Sequence, residues 1–147
     1  MLKQDEADKL ISVLKRVRDN QNPINFPGVG EDNKVDLESE DGNEQFIVDI
    51  NRKGTIRIAR KCTFQGRYRK YIPLLRLDIG GPDHTNPDGE EINGDHVHIF
   101  KEGYGDRFAI PLPPDITNPD DLIQTLIDFL SYFNTIDADK LDIQTVI

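Results

Sequence analysis

Residues 46–79 read FIVDINRKGTIRIARKCTFQGRYRKYIPLLRLDI, and this stretch decides the fold. Phe46–Ile50 and Thr55–Thr63 are rich in β-branched residues, and the turn between them ends in glycine. The pattern predicts a β-hairpin. A third strand is predicted from Tyr68 to Ile79, where Pro73 indicates an edge position or a bulge.

Amphipathic helices are predicted on both sides of this stretch. Apolar residues at helical spacing predict a helix from about residue 3 to residue 20. A second helix is predicted after Asn118, which would cap it, with Pro119 in the first helical position. The fold class is therefore predicted to be α+β, with an antiparallel sheet of about five strands flanked by an N-terminal and a C-terminal helix.

Three further segments complete the prediction. Residues 22–45 are rich in Gly, Pro, Asn, Asp and Glu, and we expect a long acidic surface loop with at most a short strand near Val35. Asp95–Lys101 and Arg107–Leu112 are predicted to form a second hairpin. The tail from Lys140 onwards is expected either to form a last strand or to dock on the sheet.

The composition excludes several classes of protein. A chain of 147 residues fits a single domain over residues 1–147. The single cysteine, Cys62, excludes an internal disulfide and a thiolate zinc site. The sequence has no apolar run of the roughly 20 residues that a membrane-spanning helix needs, and its start lacks the order of a signal peptide. We therefore expect a cytoplasmic protein that does not contact a membrane.

The net charge of −9 hides a strong segregation of charge along the chain. Residues 1–50 have 6 basic and 12 acidic side chains, and residues 111–147 have 1 basic and 7 acidic, so each end has a net charge of −6. Residues 52–77 contain basic side chains and no acidic ones. Such a block attracts phosphates because salt screens the more distant acidic residues. The candidate nucleic-acid-binding residues are Arg57, Lys61, Arg67, Arg69 and Lys70. The alternative is that the basic block forms solvated strand faces or pairs with the acidic helices.

A cluster of titratable residues follows the basic block. All three histidines, His84, His96 and His98, lie within 15 positions. The alternation of a strand places Arg76 and Asp78 on one face. If this strand neighbours the His96 strand, the polar faces coincide and the glycine-rich loop brings His84 over them. These five residues are the candidate catalytic residues.

These residue types fit metal-free cleavage of RNA, which provides its own 2′-hydroxyl nucleophile. Histidine titrates near neutral pH, so two histidines can supply a general base and a general acid. We expect Arg76 to bind a phosphate in bidentate fashion and Asp78 to fix the tautomer of a histidine. This reaction needs no cofactor.

Other interpretations of the cluster stay open. His-x-His on a strand, with a third histidine and a carboxylate, is also a ligand set for zinc, manganese or iron. The loop residues are ordinary turn formers, and His96 and His98 could simply form the wet face of a strand. The two acidic ends would suit a non-catalytic inhibitor or antitoxin that mimics nucleic acid and binds a basic protein.

Short motifs in this region suggest a family. The motifs cover about a quarter of the chain and are Arg76-Leu77-Asp78, Gly80-Gly81-Pro82, His84, Asn86-Pro87-Asp88-Gly89 and His96-Val97-His98. The stretch from Leu75 to Pro111 resembles a family of short uncharacterised proteins of bacteria and their mobile elements, classed as a domain of unknown function.

The order Arg-x-Asp, one histidine and then His-x-His is also similar to the core of small toxins from bacterial toxin–antitoxin pairs. This resemblance implies a nucleic-acid-directed enzyme of toxin or phage-defence type, either a ribonuclease or a nucleotide-modifying enzyme. It implies RNA or a nucleotide as the ligand and a cognate protein as a partner. The long inserted loop and the acidic first 50 residues are not part of the toxin pattern.

Overall fold

A computed structural model describes residues 1–18, 21, 23–54 and 60–145 of the chain. These residues form two α-helices, eleven β-strands and a short 3-10 helix at Ala138–Lys140. In chain order the elements are α1 (Gln4–Ser12), β1 (Lys15–Val17), β2 (Ile24–Phe26), β3 (Asp32–Ser39), β4 (Gln45–Asn51), β5 (Cys62–Tyr68), β6 (Ile72–Ile79), β7 (His84–Thr85), β8 (Glu91–Ile92), β9 (His96–Ile99), β10 (Ala109–Pro111), α2 (Leu122–Tyr132) and β11 (Ile143–Thr145).

Seven strands form one sheet in the order β1-β3-β4-β5-β6-β9-β10. Every neighbouring pair in it is antiparallel, and the strands from β3 to β6 follow one another as a meander. Two small sheets accompany it, a parallel pair of β2 with β11 and an antiparallel pair of β7 with β8. The predicted α+β class with an antiparallel sheet is confirmed, but the sheet is larger than expected.

One face of the large sheet is apolar and packs against α2. The ring centroids of Phe64 and Phe129 are 6.0 Å apart, and the ring of Phe46 meets that of Phe133 edge-on at 5.7 Å. Apolar side chains of α1 also pack against this core. Both helices therefore cover apolar surface of the domain, whose burial is the main favourable term in folding.

The opposite face of the sheet is polar, and we call it the outer face. Side chains alternate between the two faces along a strand, and residues that pair across strands share a face. The buried or half-buried polar residues that share the outer face include Asp36, Asp49, Gln65, Arg67, Arg76, Asp78, His96 and His98.

The second predicted hairpin is confirmed, because β9 pairs with β10 and His98 lies opposite Ala109. The tail forms a last strand, β11, which pairs with β2. The glycine-rich loop that carries His84 joins β6 to β9. It contains the small β7–β8 hairpin, in which His84 pairs with Ile92.

The first helix is shorter than predicted. It ends at Ser12, and the expected continuation to residue 20 is wrong because residues 15–17 form an edge strand of the sheet. Val13 already has extended backbone angles. The Lys15 ammonium lies in the core, where it donates hydrogen bonds to the carbonyl oxygens of Ile11 and Val13 at the end of α1. These bonds terminate the helix and place the next residues on the sheet.

The expected long acidic loop over residues 22–45 is also wrong in extent, although the strand expected near Val35 is present and is longer than predicted. The segment contains β2 and all of β3, a strand of eight residues. Val35 and Leu37 are fully buried, and acidic residues alternate with them towards the outer face. The high density of acidic and turn-forming residues hid this alternation.

The strand boundaries in the central stretch differ from those predicted. Residues 55–59 of the predicted strand Thr55–Thr63 lie outside the described residues, and its end begins β5. The predicted strand Tyr68–Ile79 is divided by a turn at Arg69, whose φ is 55°. The expected irregularity at Pro73 is present as a register shift between β5 and β6, but β6 lies inside the sheet and not at an edge.

The second helix begins later than predicted. Its cap is Asp121, whose carboxylate accepts a hydrogen bond from the backbone N–H of Gln124 at 3.1 Å. Asn118, the expected cap, instead accepts the N–H of Asp121 through its carbonyl oxygen. Neither helix of the described residues has the length and apolar character needed to cross a membrane.

Candidate functional site

The candidate site lies on the outer face, where β6 and β9 run side by side. Asp78 pairs with His96 and Arg76 pairs with His98 in the antiparallel register. The two strands are therefore neighbours in the sheet, as expected. Four of the five candidate catalytic side chains share one patch of the outer face. Their catalytic role stays a prediction.

The fifth candidate, His84, is placed over this patch by the β7–β8 hairpin. Its ring centroid lies 4.5 Å from that of His98 and 5.6 Å from that of His96. Asn86 anchors the hairpin, because its buried side chain donates to the carbonyl oxygen of Ala109 at 2.9 Å and accepts the N–H of Ala109 at 2.7 Å. One amide thus continues the sheet beyond the edge of β10 and holds His84 in position.

Arg76 is the centre of the site. Its guanidinium donates to Asp78 Oδ1 at 3.1 Å, to Asp106 Oδ2 at 2.8 Å and to His98 Nε2 at 3.0 Å. Asp106 lies in the turn before β10 and completes a group that we call the histidine site, which consists of Arg76, Asp78, His84, His96, His98 and Asp106.

The backbone fixes the tautomers of the histidines. His96 Nδ1 lies 2.7 Å from the carbonyl oxygen of Gly94, and His98 Nδ1 lies 2.8 Å from that of Asp106. A carbonyl oxygen only accepts, so we assign a proton to each Nδ1. In both neutral rings Nε2 is then the acceptor. His84 differs, because its Nε2 lies 2.8 Å from the carbonyl oxygen of Arg107 and its Nδ1 is left as the acceptor.

Three acceptor atoms therefore converge in the middle of the site. Asp78 Oδ2 lies 3.3 Å from Nε2 of His96 and 3.2 Å from Nε2 of His98. Lone pairs at such distances repel each other unless a proton or another cation lies between them. Arg76 supplies one N–H to His98, and a proton shared among Asp78 and the two rings would satisfy the rest.

Burial separates the members of the site. His96 and His98 are each 2% exposed, whereas the side chains of Arg76, Asp78 and Asp106 are between 22% and 32% exposed. Desolvation acts to raise the pKa of Asp78, but the hydrogen bond with His98 and the charge of Arg76 outweigh it, so the pKa is lowered. Asp78 is therefore a carboxylate at neutral pH, and His84, which is half-buried, lies nearer the surface than the other two rings.

The same atoms are the ones that could hold a metal ion. The ligand atoms of Asp78, His96 and His98 lie within 4.8 Å of one another. Bonds of about 2.0–2.2 Å to a tetrahedral ion separate neighbouring ligand atoms by roughly 3.3 Å, close to the distances of Asp78 Oδ2 from the two histidines. Arg76 disfavours metal binding. A divalent ion bound to His98 Nε2 would lie next to the guanidinium of Arg76, and the two positive charges would repel each other.

Carboxylates neutralise much of the basic block. Arg67 makes a two-point ion pair with Asp49 at 2.7 and 3.1 Å. Arg60 pairs with Asp95 at 2.6 Å. These guanidinium groups are fixed within the protein, but their partners lie on a strand and in a loop and not on the helices that the alternative named.

The five candidate nucleic-acid-binding residues have different positions. Arg57 lies outside the described residues, Lys61 is half-buried, and Arg67 is the partner of Asp49. Arg69 and Lys70 are exposed in the turn between β5 and β6, away from the histidine site. The structure therefore does not bring the five together, and their role in binding nucleic acid stays a prediction.

Sequence reasoning missed Asp106. Its carboxylate holds Arg76 and its carbonyl oxygen fixes the ring of His98. The available signal was the predicted pairing of the His96 strand with the segment after Arg107, since the turn that joins such strands lies beside the ends of both. A carboxylate in that turn is within reach of the polar face.

A family model described as a family of unknown function, DUF6978, matches residues 2–135. The chain belongs to DUF6978. The match includes the whole histidine site of this DUF6978 chain, which fits the resemblance to an uncharacterised family. No curated protein and no solved structure matches the chain. The DUF6978 match gives no support to the toxin resemblance or to a mobile-element origin, so the function of this DUF6978 chain must be inferred from the site itself.

Proposed function

We propose that the protein cleaves RNA at the histidine site without a metal ion. The observation that carries this proposal is the position of Arg76. Its guanidinium donates to Asp78 Oδ1 and to His98 Nε2, so a cationic group already lies beside the point where Asp78 Oδ2 and the Nε2 atoms of His96 and His98 converge. A guanidinium has five N–H donors and three are used here, so two remain for the oxygens of a phosphate.

The surface residues of the site fit the first half of the reaction. The 2′-hydroxyl of RNA attacks the adjacent phosphorus, and its proton passes to Nδ1 of His84, the free acceptor of that ring. The remaining N–H donors of Arg76 stabilise the negative charge that develops on the phosphate oxygens.

The buried residues fit the second half. The bond from phosphorus to the 5′-oxygen breaks, and this oxygen takes the proton shared by Asp78, His96 and His98. The products are a 2′,3′-cyclic phosphate and a 5′-hydroxyl. Later proton exchange with water restores the starting protonation states.

The proposal includes the biological setting that the sequence suggests. We place the protein in the cytoplasm as an RNA-directed enzyme of toxin or phage-defence type, with a cognate protein partner. What supports this setting is the resemblance of the Arg-x-Asp, His and His-x-His motifs and the two acidic chain ends. A non-catalytic inhibitor or antitoxin is the alternative, and it would bind a basic protein in a salt-sensitive complex.

A metal-binding protein is the second candidate function. The convergence of Asp78, His96 and His98 favours it, with zinc or manganese as the ions that suit such ligands. Elemental analysis of protein purified without a polyhistidine tag tests this candidate. A stoichiometric metal content, or a thermal shift with added zinc, would replace the metal-free proposal.

The direct test incubates the purified protein with total RNA, with and without a chelator. We expect cleavage that the chelator does not change. His84→Ala should lower the rate by roughly a hundredfold or more, because it removes a general base. Arg76→Ala should also abolish most activity. His96 and His98 are less suitable for a first test, because their removal leaves holes in a buried site.

Two controls make the test decisive. Arg16→Ala removes an exposed arginine from β1 and should keep full activity. Melting temperatures of all variants show whether a loss of activity is only a loss of fold. Absence of cleavage by folded wild-type protein, or full activity in folded His84→Ala, would contradict the proposal.

A further inference from the structure

A second candidate site lies on the outer face, away from the histidine site. It is a cavity of about 450 Å³ between the end of β1, the middle of β3 and the turn from β5 to β6. Four cationic side chains and one carboxylate line it, namely Arg18, Lys34, Arg69, Lys70 and Asp36. The cavity is therefore positively lined in a protein whose net charge is −9.

Three of these cations have no ion pair with the part of the chain that the structure describes. The side chains of Arg18, Lys34 and Lys70 make no salt bridge or side-chain hydrogen bond with any other described residue, in contrast to Arg67 and Arg60. Charges that a protein leaves unpaired around a concave surface attract anions.

The carboxylate in the cavity does not neutralise them. The carboxylate of Asp36 accepts a hydrogen bond from Nε2 of Gln21 at 2.8 Å. Oε1 of the same glutamine accepts the backbone N–H of Asp36, also at 2.8 Å. Arg69 has a partner of a different kind, because its guanidinium lies 4.9 Å from the ring centroid of Tyr68. The cationic groups thus remain available to an anion from outside.

An exposed aromatic ring lies beside the cations. Tyr71 lines the cavity and is 84% exposed, more than any other aromatic residue on the described surface. Exposure of a ring at this level has no benefit for folding, but it suits stacking with a planar ligand. Cations that hold phosphates and a ring that stacks with a base together form a nucleotide-binding surface.

We propose that this cavity, lined by Arg18, Lys34, Lys70 and Tyr71, binds a nucleoside phosphate. The volume is in the usual range for small-molecule sites, about 300–1,000 Å³. The phosphate pairs with Arg18, Lys34 and Lys70, and the base stacks on Tyr71. The ligand is either a free nucleotide or one unit of a single-stranded nucleic acid. The inference rests on these residues and does not depend on the proposed cleavage of RNA.

The test measures binding of a fluorescent ten-nucleotide 2′-O-methyl RNA by anisotropy, at several salt concentrations. This probe lacks the 2′-hydroxyl, so cleavage at the histidine site cannot confuse the result. Lys34→Glu/Lys70→Glu should weaken binding at least about tenfold and reduce the steepness of the salt dependence. Tyr71→Ala should weaken it by roughly tenfold, and Tyr71→Phe, which keeps the ring, should not.

A matched control and a second ligand complete the experiment. Lys53→Glu/Lys140→Glu makes the same charge change at two exposed lysines that do not line the cavity, and it should leave affinity nearly unchanged. Titration with ADP distinguishes the sources. Displacement of the probe by ADP identifies a free nucleotide as sufficient, and binding of the oligonucleotide alone identifies a strand.

Several results would overturn the inference. These are no binding of either ligand at low salt, wild-type affinity in Lys34→Glu/Lys70→Glu, or an equal loss in the control variant. Loss of affinity in the lysine variant without any effect of Tyr71→Ala would reject the stacked nucleoside and reduce the site to one for phosphate.

Discussion

Lys15 is a fully buried lysine without a carboxylate partner among the described residues. Its ammonium donates to the carbonyl oxygens of Ile11, Val13 and Phe133 at 2.8, 3.0 and 2.9 Å. The rings of Phe133 and Phe46 lie 4.1 and 4.8 Å from the same nitrogen. The ends of both helices thus direct their carbonyl oxygens at one cation, which suits the negative end of a helix dipole.

Lys15 should make stability depend on pH. Burial lowers the pKa of Lys15 to about 7, whereas the unfolded chain keeps the proton up to about pH 10. Between these values the unfolded state binds more protons, so the free energy of unfolding should rise with pH, by up to about 1.4 kcal/mol per pH unit. Chemical denaturation of wild type and Lys15→Met from pH 6 to pH 10 measures this, as the difference between the two proteins.

Lys15→Met is a suitable reference because it keeps the length of the side chain and removes the charge. At pH 6 it should be less stable than wild type, since three carbonyl oxygens lose their donor. A constant difference between the two proteins from pH 7 to pH 10 would contradict the lowered pKa and show that the carbonyl oxygens keep the ammonium form.

At the level of residues, most of the histidine site could be predicted from the sequence. The alternation of a strand places Arg76 with Asp78 on one face, and likewise His96 with His98. Pairing of the two strands then brings the four side chains together. Asp106 could not be placed, because its position depends on the shape of a turn. Lys15 lies within the helix predicted over residues 3–20, where a lysine is normally a surface residue, so its burial could not be predicted.

At the level of elements, the contact of β5 with α2 determines how closely the helix approaches the sheet. A Cβ atom added at Gly66 would lie 2.8 Å from Cε2 and 2.9 Å from Cζ of Phe133, which is 0% exposed. The ring is locked in the core, so it has little room to move aside. Glycine is needed here for close approach rather than for its backbone angles.

Gly66→Ala should therefore destabilise the protein by about 1–3 kcal/mol, the usual cost of overpacking a core. Gly81→Ala is the matched control, because an added Cβ there meets nothing within 4 Å. Thermal or chemical unfolding measures both. Equal stability of the two variants would show that the helix and the sheet are not packed as tightly as the structure indicates.

The elements that sequence reasoning missed were those whose local signals disagree with their place in the fold. β3 has the Val35–Leu37 alternation of a strand, but it lies within an acidic stretch rich in turn formers. The helix predicted over residues 3–20 runs past Ser12 because the apolar spacing continues there, and the competing pairing of β1 with β3 is not local. The β9–β10 hairpin was predicted well because its alternation and its glycines agree.

At the level of the whole molecule, the sheet separates two kinds of surface. The apolar face holds the core under both helices, and the outer face holds the histidine site and the cationic cavity. Strands in a sheet are about 4.8 Å apart, so β3 and β9, separated by three strands, place the two sites roughly 20 Å apart on the same face. A flexible strand of nucleic acid would be long enough to contact both.

The distribution of charge explains why the total of −9 is a poor guide to ligands. Ion pairs of Arg60, Arg67 and Arg76 with carboxylates remove much of the apparent basic block. Arg18, Lys34 and Lys70, which have no ion pair with any residue that the structure describes, lie around one cavity. Local electrostatics, and not net charge, should therefore decide what binds to the outer face.

The most direct test of the metal-free mechanism compares two oligonucleotides of the same sequence in the presence of a chelator. One is RNA and the other is its 2′-O-methyl form, which lacks the nucleophile. The metal-free mechanism predicts cleavage of the RNA to 2′,3′-cyclic phosphate and 5′-hydroxyl ends, and no cleavage of the 2′-O-methyl form. Cleavage of both, cleavage that the chelator abolishes, or no cleavage of the RNA would contradict it.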